Sequence, residues 1–416
     1  MGKNGNTEFD LLIIGGGLVG ASLACALAGQ GLRIGLVEAA PFAAARHPSY
    51  DDRVLALAYG ARRIFEGLGL WDAIAADATP ILTVHISEQG APGIARLSHR
   101  DEGVAALGYV AEARLLGAAL RNRLAALPEV EVLCPARLES IDIQPAAARV
   151  TVRSGEDSLA LTAALVAAAD GARSQVREQL GIDALRWDYG QTAVITNVTP
   201  EIPHHNVAYE RFTEAGPVAL LPLSQGRCAA ICTVASPQAE TVLAMDDAAF
   251  LACLQSRFGD RLGRFQRAGK RQAYPLFLVK AQEQARPRVA VIGNAAHTLH
   301  PIAGQGFNLG LRDVAALAQV IVEARQRGDD LGGEAALQRY ADWRRWDQRR
   351  TIAFTDGLTR LFDNPLPPLR LARNLGLLAF NLLPPAKRLL ARQAMGLEGY
   401  LPRLAQGLPL LARDAP

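Results

Sequence analysis

The sequence predicts an α/β fold in which a discontinuous parallel sheet is joined to a mostly antiparallel sheet and a C-terminal helical segment. Three observations predict it. A strand, a glycine-rich turn, a helix and a second strand follow one another within residues 9–38, the βαβ order of a parallel sheet with a right-handed crossover. Short runs broken by Pro, Gly or Ser fill residues 181–274. Leu-, Pro- and Arg-rich helical segments follow residue 358.

Composition indicates a large folded chain and excludes some partners. The chain has 416 residues, half hydrophobic and a fifth charged, enough for a sizeable core in two or three domains. Lys and Arg number 44 against 41 Asp and Glu, so binding to nucleic acid is not expected. Five cysteines without paired spacing favour a reducing cytoplasm. No apolar run reaches the length of about 18 residues that a membrane span requires.

The elements can be placed along the chain. We expect helices at 18–28, 60–75 and 112–127, a long helix to about 326, and strands at 9–14, 33–38, 163–169, 191–198, 207–212, 218–223, 227–234 and 288–292. The return to parallel-strand character at 288–292 makes the first domain discontinuous. The predicted domains are 1–75, 100–180 and 275–355 for the first, 76–99 and 181–274 for the second, and 356–416 for the helical segment.

A glycine-rich turn follows the first strand. Gly15, Gly17 and Gly20 form a G-x-G-x-x-G pattern. The first glycine permits a tight turn, the second lets the backbone approach a pyrophosphate, and the third lets the helix pack on the strand. Glu38 lies 23 positions after Gly15, where a carboxylate accepts hydrogen bonds from ribose hydroxyls. The pattern predicts dinucleotide binding in a Rossmann-like domain and fits both NAD and FAD.

Two further loops resemble those of class A flavoprotein monooxygenases. They are Asp170-Gly171 at the end of a strand, and a loop that continues from Asn294 through Pro301 into a second glycine-rich turn. The resemblance covers residues 9–320 and implies FAD as the cofactor. Further binding residues in that turn would be Gly304, Gln305, Gly306 and Asn308, whose loop amides suit negative charge on the flavin. The family usually has Asp where this chain has Asn294, which removes a charge but keeps an acceptor.

Two arginines are further candidates for cofactor contacts. Arg53, in the triplet Asp51-Asp52-Arg53, corresponds in place to a family arginine near the flavin phosphates or the mobile-ring site. Arg114 resembles an arginine that helps to hold FAD. Guanidinium forks suit phosphates. A surface ion pair is the alternative for both.

Within the family, the resemblance is to the ubiquinone-biosynthesis hydroxylases, in particular the bacterial hydroxylases of 2-polyprenyl-6-methoxyphenol. The stretches that carry it are 52–58, 83–87, 210–223, 269–276 and 293–313. It implies an oxidoreductase that uses FAD, O2 and NAD(P)H to insert one oxygen atom into a polyprenylated phenol, para to the hydroxyl. The chain has no second dinucleotide fingerprint, which suits transient docking of NADH or NADPH.

The remaining site predictions concern a pocket and metals. The second domain should supply an apolar roof over the flavin, and the candidate lining residues are Tyr209, Phe212, Leu221, Pro222, Pro301 and Ile302. No catalytic base is named, because this chemistry asks the protein chiefly to exclude water and to orient the ring. No metal is expected: His297 and His300 lack a third ligand nearby, and Cys228 and Cys232 suit the core of a strand.

The C-terminal tail combines leucines with positive charge. Residues 358–413 carry eight cations, from Arg360 to Arg413, against two anions. A basic amphipathic helix can lie on an anionic membrane, whereas composition slightly favours a flap packed on the flavin domain. A polyprenyl substrate, implied by the resemblance, shifts the expectation to peripheral contact with the inner membrane from the cytoplasm. A ubiquinone-biosynthesis assembly is the other partner that the resemblance suggests.

Two other functions stay open. A hydroxylase of a small soluble aromatic acid would need a cationic clamp in its pocket, whereas a prenylated phenol needs an apolar tunnel to the surface. A flavin-bearing scaffold of a lipid-quinone assembly, with little turnover of its own, is the alternative from another class.

Overall fold

The structure is a computed structural model that describes residues 7–42, 53–364 and 366–411. Asp51, Asp52 and Arg413 lie outside the described residues.

The strands of the described residues are β1 (Thr7–Ile14), β2 (Ile34–Val37), β3 (Val54–Ala58), β4 (Thr79–Ile81), β5 (Thr83–Glu88), β6 (Ile94–Ser98), β7 (Gly108–Glu112), β8 (Val130–Leu133), β9 (Arg137–Ile143), β10 (Ala148–Ser154), β11 (Asp157–Ala168), β12 (Ala184–Pro200), β13 (Val207–Phe212), β14 (Val218–Pro222), β15 (Cys228–Ala235), β16 (Phe265–Ala268), β17 (Gln272–Ala281), β18 (Ala285–Arg286), β19 (Val289–Val291) and β20 (His297–Thr298).

The helices account for most of the remaining described residues. They are α1 (Leu18–Leu27), α2 (Tyr59–Gly67), α3 (Trp71–Ala75), α4 (Ala113–Ala125), α5 (Gln175–Gln179), α6 (Ala239–Ala244), α7 (Asp247–Phe258), α8 (Gln305–Arg327), α9 (Glu334–Asp363), α10 (Pro367–Asn381) and α11 (Pro384–Ala394). None of these helices has both the length and the apolarity that crossing a bilayer would require.

The first sheet is built around parallel strands in the order β18-β19-β11-β1-β2-β8, and β10 and β9 continue it from β11. Leu11 of β1 pairs with Leu165 of β11 on one side and with Ile34 of β2 on the other. Alternate residues of β1 enter two different core clusters, one of which contains residues of α1, α4 and α8. Burial on both faces explains why the second half of β1, residues 11–14, is continuously apolar.

The second sheet has the strand order β20-β17-β12-β15-β14-β13-β5-β6, and β16 pairs with β12. Its pairs are antiparallel except for β13 and β5. A third, small sheet of β3, β7 and β4 completes the architecture. The predicted class, a parallel α/β domain joined to a mostly antiparallel sheet with a helical C-terminal part, is confirmed.

Some local predictions were wrong in detail. The single helix expected over 60–75 is two helices, α2 and α3, because Gly69 takes a positive φ of 67° between them. The strand expected at 191–198 is part of the longer β12. Sheet membership also crosses the proposed domain division, since β17 and β20 of the second sheet include residues from 275–355. The division itself stays a proposal.

Candidate active site

The glycine turn after β1 leaves no room for side chains at two positions. A Cβ on Gly15, whose φ is 106°, would lie 2.5 Å from the carbonyl oxygen of Ala169. A Cβ on Gly20 would lie 1.9 Å from the carbonyl oxygen of Gly15. The two glycines therefore let α1 and the end of β11 close onto the turn. Gly17, the residue that precedes α1, faces the cavity described below.

The carboxylate of Glu38 reaches the same turn. One oxygen accepts a 2.7 Å hydrogen bond from the backbone N–H of Gly16, and the other accepts one of 2.7 Å from Ala40. These bonds fix the buried side chain beside the glycines. The predicted contact with a ribose is compatible with this placement and stays a prediction.

The carboxylate of Asp170 has one oxygen bonded to the protein and one buried oxygen without a described partner. The first oxygen accepts a 3.1 Å hydrogen bond from the N–H of Val176, in the first turn of α5. The other oxygen, Oδ1, is buried and has no hydrogen-bond partner among the described residues. Burial raises the pKa of this carboxyl despite the bonds it accepts. Because buried acceptors are nearly always satisfied, Oδ1 suits a hydroxyl donor of a bound dinucleotide.

The loop before α8 opens a helix N-terminus toward the cavity. Gly304 has a φ of 59°, and a Cβ there would lie 2.9 Å from the Cβ of Ala56. Gly306, in contrast, has open space around its Cβ position and lines the cavity. The first turn of α8 carries no acidic residue and no capping side chain. Its free N–H groups and helix dipole therefore suit an anionic group.

Asn308 and Gln305, two predicted cofactor contacts, form side-chain hydrogen bonds with other parts of the protein. The Asn308 amide accepts a 2.8 Å bond from the Ala58 N–H and donates bonds of 2.8 Å to Ala56 and 2.7 Å to Gly304. Gln305 donates to the carbonyl of Ala394 at 3.2 Å. Asn308 therefore fixes the loop to β3, and Gln305 ties it to the end of α11. These bonds position the loop, and the predicted contacts of both residues with the cofactor stay predictions.

A buried charge network, which the sequence analysis did not identify, supports the loop from behind. The Asp313 oxygen Oδ2 accepts a 3.1 Å bond from the N–H of Gly293 and lies 2.6 Å from Nε2 of His297. Its other oxygen accepts bonds of 2.8 Å from Arg344 and 2.9 Å from Gln348. Burial alone would raise the pKa of Asp313, but His297 and Arg344 lower it to about 2. The side chain is thus a permanent anion that fixes the strand-to-loop turn.

The two histidines of this loop have separate partners. His297 is paired with Asp313, while Nε2 of His300 lies 3.2 Å from Oε1 of Gln191 and its Nδ1 accepts the N–H of Ile302. Nowhere in the described ranges do three or more His, Cys, Asp or Glu side chains form a group that could hold a metal ion.

The two predicted arginines are placed differently. Arg53 lines the cavity, and its guanidinium lies 5.1 Å from the ring centroid of Tyr274. Arg114 lies in the first turn of α4, and its Nε lies 2.5 Å from a carboxylate oxygen of Glu112. Arg114 is not among the described lining residues, and its predicted contact with the cofactor stays a prediction.

The loops and the second sheet enclose a large apolar cavity of about 850 Å³. The predicted site residues that line it are Gly17, Arg53, Gly171, Asn294, Gly304, Gln305, Gly306, Asn308, Tyr209, Phe212, Leu221, Pro301 and Ile302. The predicted residues outside its described lining are Gly15, Gly20, Glu38, Arg114, Asp170 and Pro222. Pro222 follows Leu221 on β14, and neighbouring strand residues point to opposite faces. Pro222 is not among the described lining residues, and its predicted place in the pocket stays a prediction.

The cavity extends beyond the loops to the C-terminal helices. Helix α10 packs on β6. The last residue of α11, Ala394, accepts a 3.2 Å bond from Gln305 at the end of the flavin loop (residues 293–304), and the carbonyl of Met395 accepts the N–H of Gly60 in α2 at 2.8 Å. The lining residues from this part are Leu369, Ala372, Arg373, Gly376, Leu377, Phe380, Leu390, Ala391, Ala394 and Met395. The predicted flap therefore covers the second sheet as well as the first domain.

These residues fit FAD. The glycine turn, the unsatisfied oxygen of Asp170 and the open N-terminus of α8 would hold its phosphates, hydroxyls and flavin edge. When bound, FAD supplies the activation of O2 with electrons taken from NAD(P)H. The apolar lining excludes water and positions an aromatic ring.

Known proteins are similar to this chain in sequence and in fold. The family described as FAD binding domain matches residues 8–355. Ubiquinone hydroxylase UbiL of Rhodospirillum rubrum is 40% identical over 404 residues, 96% of this chain and 93% of that protein. The 3-demethoxyubiquinol 3-hydroxylase of Escherichia coli is 34% identical over 94% of this chain and 100% of its own. The solved structure of p-nitrophenol 4-monooxygenase PnpA from Pseudomonas putida DLL-E4 has a TM-score of 0.78, with 94% and 99% coverage and 21% identity, and so shares the fold.

Fold, loops, cavity and relatives together define an FAD-dependent monooxygenase with NAD(P)H as its reductant. Within that class, the chain belongs to the FAD-binding family named above, which matches it over most of its length.

Proposed function

We propose that this protein inserts one oxygen atom from O2 into a polyprenylated phenol of ubiquinone biosynthesis. The observation that carries the proposal is the continuous apolar cavity between the flavin loops and helices α10 and α11. The names of the relatives from R. rubrum and E. coli support the pathway. For the substrate and position we propose 2-polyprenyl-6-methoxyphenol, hydroxylated para to its hydroxyl. The name of the E. coli relative gives another position, which makes ring position the first detail to test.

Among the residues that the structure describes, the cavity lining does not form the cationic clamp that a small aromatic acid would need. Arg53 and Arg373 are the cations among its described lining residues. Arg373 donates bonds of 2.7 Å to the carboxylate of Glu88 and to the carbonyl of Leu361. Arg53 lies over the ring of Tyr274. Since the Arg373 guanidinium is neutralised by protein groups, the apolar part of the cavity favours a hydrocarbon chain.

Turnover with a lipid phenol tests this proposal directly. We expect the flavin-loaded protein to consume NAD(P)H and to hydroxylate 2-farnesyl-6-methoxyphenol in detergent micelles, with 4-hydroxybenzoate inactive. Product mass spectrometry and NMR identify the ring position. Activity with 4-hydroxybenzoate alone would overturn the substrate class. A rate of NAD(P)H oxidation that no phenol changes would favour the alternative function, a flavin-bearing scaffold. Accumulation of a lipid phenol in cells lacking the gene tests the substrate independently.

Gly376 on α10 provides a variant for the tunnel itself. It lines the cavity, and a Cβ placed on it meets nothing within 4 Å. We expect Gly376→Leu to lower kcat/KM for the farnesyl phenol by roughly tenfold or more, because it fills space that the chain would occupy. The unprenylated 2-methoxyphenol should be affected far less. Gly357→Leu, at an exposed position of α9 with open space, is the matched control. Equal losses for both phenols would contradict a chain-binding tunnel.

We also propose peripheral contact with a membrane through α10 and the turn that follows it. One face of α10 lines the cavity, and the opposite face exposes further leucines to solvent. An exposed cluster of large apolar side chains marks a surface that contacts a protein or a membrane. The exposed side chains in this region are Leu366, Leu371, Leu375, Leu378, Leu382, Leu383 and Leu389.

Several cations of the C-terminal tail form ion pairs with carboxylates of the protein. Lys387 lies 3.4 Å from Asp101, Arg392 lies 3.1 Å from Glu398, and Arg370 lies 3.3 Å from Glu214. The eight cations counted in the sequence therefore overstate the charge available to lipid headgroups. Membrane contact should depend on the leucines more than on anionic lipid.

Leu382 and Leu383 form the most direct test of this contact, since they are 80% and 54% exposed between α10 and α11. We expect Leu382→Asp with Leu383→Asp to reduce co-sedimentation with phosphatidylcholine–phosphatidylglycerol vesicles at least roughly tenfold, because each buried leucine contributes about 1.5–3 kcal/mol. Trp346→Ser removes another exposed apolar side chain, on α9, and is the control. Unchanged sedimentation of the double variant would refute the proposed face.

A further inference from the structure

Glu210 is a carboxylate inside the cavity, and no other Asp or Glu belongs to the lining that the structure describes. It lies in β13 between Ile86 of β5 and Ala219 of β14, both of which also line the cavity. The backbone N–H of Ala303, in the flavin loop, donates a hydrogen bond to it. A charged group is thus held at the junction of the flavin loop and an apolar pocket, where burying it carries a substantial cost.

Among the described residues that line the cavity, Glu210 is the side chain available to accept a proton. The other titratable or charged side chains in the described lining are Arg53, Tyr209, His300 and Arg373. Both ring nitrogens of His300 have partners, and burial lowers its pKa to about 4. Burial raises the pKa of Tyr209, which keeps its hydroxyl protonated. Arg373 is paired with Glu88, and Arg53 carries no acceptor.

We propose that Glu210 accepts the proton of the substrate's phenol hydroxyl during ring hydroxylation. This inference rests on the proposed function, since it requires a phenol as substrate. The O–H bond breaks, its electron pair stays on the phenol oxygen, and the proton moves to a carboxylate oxygen of Glu210. The ring becomes richer in electrons at its para carbon, where a C–O bond forms as the O–O bond derived from O2 breaks. The C–H proton is then released to solvent, and the proton held by Glu210 returns to the phenol oxygen of the product. Overall, substrate, O2, NAD(P)H and a proton become the hydroxylated ring, NAD(P)+ and water.

The environment of Glu210 matches this role near neutral pH. Burial raises the pKa of its carboxyl to about 7, although the hydrogen bond from Ala303 opposes the rise. Below that pH the group is neutral and cannot take a proton, whereas above it the carboxylate can. A general base works best when its pKa lies near the operating pH. Hydroxylation should therefore increase as the pH rises through about 7.

Glu210→Gln tests the inference, because it keeps the shape and removes the basic oxygen. For the flavin-loaded variant we expect kcat for 2-farnesyl-6-methoxyphenol to fall roughly 100-fold at pH 8, with the rise through neutral pH lost. Glu210→Asp should restore part of the pH profile. Glu214→Gln is the matched control, because Glu214 follows the same strand and its side chain is 87% exposed. Flavin content and melting temperature establish that each variant is folded.

Binding gives a readout independent of turnover. At pH 8 the wild-type protein should bind 2-farnesyl-6-methoxyphenol roughly tenfold more tightly than its O-methyl ether, since a hydrogen bond to a charged group is lost with the ether. At pH 5.5, and in Glu210→Gln at both pH values, this preference should disappear. A wild-type protein that hydroxylates the phenol while Glu210→Gln keeps its rate and pH profile would refute the role of Glu210. A wild-type protein that neither binds nor hydroxylates the phenol would instead refute the proposed function.

Discussion

Replacing Gly20 by alanine is expected to give a protein that is purified without flavin. The added Cβ would lie 1.9 Å from the carbonyl oxygen of Gly15 and 3.2 Å from a methyl group of Ile13. The nearest atom is backbone in the turn itself, so no flexible side chain can move aside. Relief requires α1 to move off the turn, which removes the helix N-terminus from the phosphates. The ratio of flavin to protein absorbance after purification measures the loss.

Gly357→Ala is the control for this experiment. Gly357 also lies within a helix, but a Cβ there meets nothing within 4 Å, so its alanine variant should keep its flavin and gain slightly in stability. Circular dichroism separates loss of flavin from loss of the fold. A folded, stoichiometrically yellow Gly20→Ala protein would contradict the assignment of this turn to the cofactor.

The parts of the fold that the sequence predicted are those specified by contiguous residues. The strand, turn and helix from β1 to α1 follow from an apolar run, three glycines at fixed spacing and an Ala- and Leu-rich segment. The strand β19 and the start of α8 were predictable for the same reason. In each case local backbone demands, such as the positive φ of Gly15, restrict the sequence to a recognisable pattern.

The parts that were missed depend on contacts between distant segments. The sequence does not show that the amide of Asn308, a predicted cofactor contact, bonds to β3, 250 positions away in the chain. Glu210 belongs to a strand whose pattern says nothing about which face meets the flavin loop. The packing of α10 on the second sheet likewise depends on Arg373 and Asn374, which donate hydrogen bonds to Glu88 at the end of β5. The periodicity of a local segment does not predict which distant residues it will contact.

Asp313→Asn is expected to destabilise the protein by about 3–5 kcal/mol, the usual cost of removing one partner from a buried ion pair. The loss should be visible as a lower midpoint in urea unfolding, together with weakened flavin retention. Asp342→Asn is the control: its ion pair with Arg345, at 2.6 Å, lies on α9 and is half exposed. That substitution should cost no more than about 0.5 kcal/mol.

The geometry explains why an isosteric amide cannot replace Asp313. Oδ2 accepts from the N–H of Gly293 while it also pairs with His297, so an amide nitrogen there would face the donor of Gly293. An amide turned the other way would face Arg344, which is also a donor. The pH dependence gives a second signature. Because the pKa of Asp313 is about 2 in the folded protein and about 3.9 in an unfolded chain, its contribution is complete above that value and is lost as the pH falls toward 2. Between pH 5 and pH 2 the stability advantage of the wild type over Asp313→Asn should therefore shrink; a constant difference across this range would show that the carboxylate charge is not what holds the loop.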